Sequence, residues 1–313
     1  ELGRAHMGLG RHDDAEAALT HALAIRERRG PSDALAASLS ELSVLYRLTS
    51  RYAEAAGAAG RAVAIRSTIE GGSEADLATS LDHQALALDE LDRLEDAIPL
   101  VRQALEIRQK TLGPHHADVA QSLNSLAILH LRSGQFEAAE ERLRQSLAIR
   151  RKILPAGHAN LGQSHYNLAQ TYYTLERDDD ARRHLQQALI IWRGAESPNL
   201  QRLGFASTLL GDLERAQGRH QAAQAAYGEA LDLLTSAVGA DHGHLITVYE
   251  GLAHAHCDQG QLGPARRHFD RSLAIARSLF AEGSTNVREL VASEKRCFDG
   301  TRTAGADGSN EDS

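Results

Sequence analysis

Residues 122–154 read SLNSLAILHLRSGQFEAAEERLRQSLAIRRKIL, and their pattern decides the fold. Apolar and small side chains at 123, 126, 127 and 131 recur at helical spacing, which puts them on one face of a helix. Ser133-Gly134 interrupts that run, as expected where a helix stops and the chain turns back. A second run from Phe136 then packs on the first, with Ala139, Ser146 and Ile149 inward. The tripeptide near its end returns along the chain. AIR stands at Ala24–Arg26, Ala64–Arg66 and Ala148–Arg150, EIR at Glu106–Arg108, and IIW, DLL and AIA at 190–192, 232–234 and 274–276. From Ala64 onward the interval is 42 residues each time, and the first is 40. Such a period marks a solenoid or an array of hairpins. The triplet loses its Arg in later repeats while mostly keeping an apolar centre, so it reads as frame, with Arg150 reaching solvent or a neighbouring repeat.

Other columns keep the same period. Ala15, Ala55, Ala97, Ala139, Ala181, Ala223 and Ala265 are all alanine, and Gly3, Ser43, Ala85, Ala127, Ala169, Gly211 and Ala253 are all small. Small residues at matched heights let two helices approach more closely than Leu would allow. Five residues before each Ala stands Gly10, Ser50, Asp92, Gly134, Glu176, Gly218 or Gly260, the predicted turn. Composition agrees with an all-helical chain. Of 313 residues 42% are apolar but only 4% aromatic, so the core is built mainly from Ala, Leu and Ile, and six prolines barely interrupt it.

Seven units follow: 1–34, 35–76, 77–118, 119–160, 161–202, 203–244 and 245–286. A covering helix is predicted over 287–298, which closes an array of residues 1–298. The Gly-, Ser-, Thr- and Asp-rich 299–313 is predicted to be a disordered tail. The pattern L-x-x-L-A…G-x-F/Y-x-x-A…A resembles the tetratricopeptide repeat, and the 42-residue length resembles its kinesin-light-chain type. That resemblance implies an all-α, right-handed α-solenoid whose first helices line a concave groove. Glu1-Leu2-Gly3 aligns with Glu41-Leu42-Ser43, part-way along a first helix, so the array is expected to have continued upstream.

The motif search finds no phosphate loop, nucleophile turn, zinc helix or kinase signature, which points away from an enzyme. A net charge of −8 lacks the basic excess of a nucleic-acid binder. No run approaches the roughly 18 apolar residues of a membrane helix, and no signal-peptide pattern opens the chain. Cys257 and Cys297 supply no spacing framework for disulfides or zinc, in keeping with a reducing, cytoplasmic setting. His116, His158 and His242 share a loop column and read as loop-shaping or helix-starting residues. His6, His130 and His256 share a column of half-buried packing residues. Glu250, His254, Cys257 and Asp258 fall on one helical face and form the best candidate metal cluster, with a polar groove lining as the plainer reading; no metal or cofactor is expected.

The groove positions lie three before, one after, and four or five after the small residue of each first helix. These columns vary between repeats while the packing columns do not, as a recognition surface on a repeated frame would. The candidate set is Asp82, Asp89, Asn124, Ile128, Tyr166, Asn167, Gln170, Tyr173, Asp212 and Glu250. The resemblance implies that Asn124 and Asn167 grip a peptide backbone, since an amide both donates and accepts. Asp82-His83 and Thr208-Leu209 stand where the family has its Asn pair. Carboxylates outnumber arginines on this surface, which favours a partner segment carrying Lys or Arg, with Tyr166 and Tyr173 to stack on it. The reading is a non-catalytic protein–protein interaction scaffold, bacterial and cytoplasmic, holding an extended peptide near Asn124, Tyr166, Asn167 and Tyr173. The alternative is a sensor region of a larger signalling enzyme whose catalytic domain lies upstream: a bacterial protein kinase, a signal-transducing ATPase or a caspase-like protease. A third reading is self-association through the open first repeat.

Overall fold

The structure is a computed structural model and describes residues 2–306, which form fifteen helices and no strand. Two compact units divide the chain. The first, through Pro155, holds four hairpins: α1 (Leu2–Gly8) with α2 (His12–Glu27), α3 (Asp33–Leu48) with α4 (Tyr52–Thr68), α5 (Glu74–Glu90) with α6 (Leu94–Leu112), and α7 (Ala117–Arg132) with α8 (Phe136–Ile153). The second, from Ala156, holds α9 (Ala159–Thr174) with α10 (Asp178–Arg193), α11 (Leu200–Ala216) with α12 (His220–Val238), α13 (Leu245–Cys257) with α14 (Leu262–Leu279), and a last helix α15 (Thr285–Ala306). Each unit is an α-solenoid of stacked helix–turn–helix repeats, the predicted fold class.

Each hairpin turns the same way because its backbone groups have one economical solution. At the α7–α8 turn, Gln135 N–H donates to the His130 carbonyl (2.8 Å) and Gly134 N–H to that of Leu131 (3.1 Å). This six-to-one and five-to-two pair satisfies carbonyls that the helix end leaves open, and it needs a left-handed residue between them. Gly134 supplies it at φ 73°, and Ser50, Asp92 and Glu176 adopt it at 56–58° despite carrying a side chain. The residues on either side of the turn are matched in pairs. Arg51 lies 4.2 Å from the Tyr46 ring and Arg177 4.5 Å from that of Tyr172, while His130 Nδ1 meets Gln135 Oε1 at 2.9 Å and His256 Nδ1 meets Gln261 Oε1 at 2.6 Å.

The small columns form the seam of every hairpin. All seven alanines of the Ala15 column are fully buried, as are Ala62, Ala104, Ala188 and Ala230 of the column seven residues on. Leu143 and Leu185 fill the space beside them with no exposure, so truncating either to Ala would cost about 2–5 kcal/mol. First helices start from side-chain caps: Ser32 Oγ accepts from Leu35 N–H, Ser73 Oγ from Asp76 N–H, and Asn199 Oδ1 from Arg202 N–H. His116 and His158 cap α7 and α9 through Nδ1, and His242 Nδ1 accepts from His244 N–H, so this column starts helices and shapes loops as read.

Two features depart from the sequence reading. The last helix continues to Ala306, past the expected end at Phe298, because Thr301–Ala306 contains no residue that breaks a helix outright; the rest of the expected tail, 307–313, lies outside the described residues. Cys257 and Cys297, whose spacing supplied no disulfide framework and suited a reducing setting, form a disulfide with Cα atoms 5.9 Å apart. They stand on α13 and α15, neighbours in the stack, with 40 residues between them in sequence. That spacing is close to one repeat, which brings equivalent helices side by side.

Candidate functional site

In the first unit, α5 and α7 leave a cleft of about 300 Å³ over α6. Its apolar lining is Ala85, Leu86, Val101, Ile128 and Leu129, and two of these face solvent strongly: Leu86 is 42% exposed and Ile128 40%. Asp82 and Asp89 stand on the α5 wall. Arg108 reaches Asp82 Oδ2 at 2.5 Å, yet Asp82 Oδ1 is buried without a hydrogen-bond partner among the described residues, as is His83 Nδ1 beside it. Burial pushes the Asp82 carboxyl up and the His83 imidazole down, while Arg108 pulls Asp82 the other way. Asp89 is raised by burial too, although Arg132 pairs with its carboxylate and donates to its carbonyl at 2.8 Å. The cleft therefore has an exposed apolar floor, with one unused acceptor buried just under its edge. Asn124, by contrast, is only 6% exposed on α7 and is engaged within the fold.

In the second unit, Tyr166 and Trp192 meet at 5.6 Å between ring centres, and burial with nearby Asp212 pushes the Tyr166 phenol up to about 12. Asn167 is 6% exposed and accepts from Gln163 Nε2 at 2.8 Å. Gln170 is exposed, and Tyr173 is half-buried with its phenol raised by burial. Asp212 accepts from the Tyr227 hydroxyl at 2.6 Å; that ring is fully buried between α11 and α13, where a Cβ on Gly211 or Gly251 would come within 2.5 Å of it. Burial raises the Asp212 carboxyl against the pull of Tyr227 and Arg215. The structure thus gives each of the four acidic candidates an internal partner and leaves the free acceptor at Asp82.

Glu250, His254 and Ser293 raise the question of a catalytic triad. His254 Nε2 lies 2.8 Å from Ser293 Oγ, and Ser293 Oγ donates to Glu250 Oε1 at 2.5 Å. A relay needs the carboxylate on the far ring nitrogen and an accessible hydroxyl. Here the carboxylate bonds the serine itself and Ser293 is 2% exposed, so the group ties α13 to α15. His254 holds the Glu250 carboxyl below its usual range. This face has no free thiol to offer a metal, since Cys257 is committed to Cys297, and no cluster of three or more His, Cys, Asp or Glu that could hold one stands among the described residues.

The sequence reading missed the part played by the recurring Arg. Arg26 and Arg66 donate to Ser38 and Ser80 of the next hairpin, Arg108 Nη1 donates to Ser122 Oγ at 2.6 Å, and the side chain of Arg66 is only 7% exposed. Arg150 is buried at 5% and donates to Gln121 Oε1 at 2.9 Å; burial lowers its pKa. The signal was present as a paired column: where Trp192 and Leu234 replace Arg, Ala206 and Val248 replace the serine that stands twelve residues on from Arg26 and fourteen on from the later arginines.

Stacked helical hairpins with an apolar cleft on their first helices define a repeat scaffold of the protein-interaction class. Tetratricopeptide repeat models match residues 1–68, 76–152 and 203–278, and a second model of that repeat matches 164–199. The chain belongs to the tetratricopeptide repeat family, with repeats like those of kinesin light chain. Among solved structures it is similar to BtubC (BKLC) from P. vanneervenii, at 21% identity and TM-score 0.62, covering 70% of this chain and 89% of that one. It is also similar to a putative kinesin light chain of Podospora anserina with nearly identical repeats, at 25% identity and TM-score 0.55, covering 64% and 94%. A Rap protein complexed with Competence and Sporulation Factor shares the fold at 16% identity and TM-score 0.63, covering 96% and 84%. No curated protein sequence matches. No described helix is long and apolar enough to cross a membrane.

Proposed function

We propose that this chain is a non-catalytic scaffold that holds an extended segment of a protein partner along its first helices, with the α5–α7 cleft as the anchor point. The observation that supports this most is the pairing of exposed Leu86 and Ile128 with the unpartnered Asp82 Oδ1. Exposed aliphatic residues in a concave site gain by covering, and a buried acceptor without a donor gains by receiving one. The fitting segment carries an aliphatic or aromatic side chain for the floor and a Lys or Arg beside it for Asp82. Asp89 and Ile128 complete that anchor, and Asn124 stands one turn before Ile128 on α7. In the second unit, Gln170 and Tyr173 offer a face to a segment of their own, set over Asn167, Asp212 and Glu250, which are held in internal hydrogen bonds, with Tyr166 at its apolar end. A Rap protein of this fold is complexed with Competence and Sporulation Factor, an instance of such a frame holding a partner.

Selection of a random dodecapeptide library on the full chain, with Ile128→Glu protein as competitor, tests the reading. Enriched peptides pairing an apolar residue with a neighbouring Lys or Arg support it. Loss of enrichment in the presence of the competitor, which would place binding away from Ile128, or enrichment of acidic peptides, rejects it.

A further inference from the structure

The second unit contains a notch of about 420 Å³ where α9, the end of α10 and the start of α11 meet, and its chemistry differs from that of the α5–α7 cleft. Tyr166, Trp192 and Phe205 line it, joined by Gln163, Asn199 and Arg202. It arises where the repeat breaks its own rule. Trp192 occupies the column of the recurring Arg, and Gly162 occupies a column that holds Ala36, Ala78 and Ala120 earlier in the chain. A Cβ on Gly162 would collide with the indole ring. The missing methyl lets Trp192 lie against α9 at 3% exposure, its Nε1 donating to the Ala159 carbonyl at 3.1 Å. The notch is therefore built around a seated indole, with Tyr166 tilted over it.

Its polar side is a single cation. The Arg202 guanidinium stands 5.9 Å from the Trp192 ring centre and pairs with no carboxylate among the described residues. Most other arginines of this unit, among them Arg177, Arg182, Arg183, Arg193, Arg215, Arg219 and Arg271, have an acidic partner. Arg202 stands in the first turn of α11, whose open N–H groups and dipole also favour an anion. Two accessible aromatic rings beside a seated indole, one uncommitted guanidinium and flanking amides suit a ligand flat and apolar at one end and anionic at the other.

We infer that this notch binds an aryl carboxylate, with the ring between Tyr166 and Phe205 and the carboxylate on Arg202. The site does not depend on the peptide reading of the cleft, and it fits either a free aryl acid or a chain end bearing an aromatic residue. Trp192 is the one tryptophan of the chain, so its emission reports on the notch directly. The experiment titrates the full chain with 3-phenylpropionate, with a short peptide ending in Phe as the free acid, and with the same peptide amidated.

Both acids are expected to shift Trp192 emission with dissociation constants on the order of a millimolar or below, and the amide to bind about tenfold more weakly. Arg202→Gln, which keeps a polar N–H donor but not the charge, weakens both acids about tenfold; Phe205→Leu weakens them while unchanged circular dichroism verifies folding. A peptide acid tighter than 3-phenylpropionate by tenfold assigns the site to a chain end, and parity or the reverse assigns it to a free acid. No emission change with either acid up to roughly ten times that concentration, equal binding of the amide, or an Arg202→Gln protein that binds both acids unchanged overturns the inference.

Discussion

Replacing Arg66 by Met tests whether the recurring Arg staples one repeat to the next. Its Nη1 donates to Ser80 Oγ at 2.5 Å, to the Asp76 carbonyl at 3.1 Å and to Ser40 Oγ at 3.2 Å, and Nε faces Asp33 Oδ1 at 3.0 Å. Asp33 is 56% exposed, so that ion pair contributes at most about 1 kcal/mol. The bonds inside the seam are worth more, since a hydrogen bond to a charged group contributes about 1.5–3 kcal/mol and its loss strands buried acceptors. Arg66→Met is expected to cost about 3 kcal/mol, and Ser80→Ala about 1–2 kcal/mol by leaving part of a buried guanidinium unsatisfied. The double variant replaces both partners with apolar groups, as Leu234 and Val248 do, both with no exposure. It should therefore lose at least about 1 kcal/mol less than the two singles together. Native-state hydrogen exchange of α4 and α5 amides reads the local opening energy, which suits an array better than one global midpoint. Additivity within about 0.5 kcal/mol would refute the staple.

Other expectations follow from particular positions. Glu176 holds a left-handed backbone at φ 56°, so Glu176→Gly should raise the unfolding midpoint of the second unit by the equivalent of about 1 kcal/mol, measured by urea titration. His130 and His83 are held below their unfolded pKa by burial, so their stabilisation is full above about pH 6.5 and is lost as pH falls from there toward the folded values. Denaturant midpoints of the first unit from pH 7.5 to 5 should fall, and less steeply in His130→Tyr/Gln135→Arg, which recreates the Tyr46–Arg51 pair. Cys297→Ser, or reduction, removes the covalent tie between α13 and α15 and should make α15 the first site of limited proteolysis, with unchanged digestion as the contrary outcome.

The frame was legible in the sequence because close helix packing tolerates so little at its seam: only Ala fits where all seven members of the Ala15 column are fully buried. Turns were legible through the same column logic, Gly134 and its equivalents sitting where a left-handed residue is required. Pairings between columns were not read, because a scan along one column does not show that Arg66 and Ser80 change together. Asn124 shows how narrowly a helical register divides surface from seam. At 100° per residue it stands only about 40° from Ile128 on α7, yet it is 6% exposed where Ile128 is 40%. The disulfide stayed hidden because its cysteines approach only once equivalent helices of successive repeats are stacked.

The central claim is that the α5–α7 cleft anchors a partner through its apolar floor and Asp82. Isothermal titration of a library-selected peptide against the full chain, Ile128→Glu and Asp82→Asn tests it most directly. Ile128→Glu is expected to weaken binding at least about tenfold, and Asp82→Asn to cost about tenfold for a peptide with Lys beside its apolar anchor but little for one with Gln there. Equal affinity for all three proteins would contradict it.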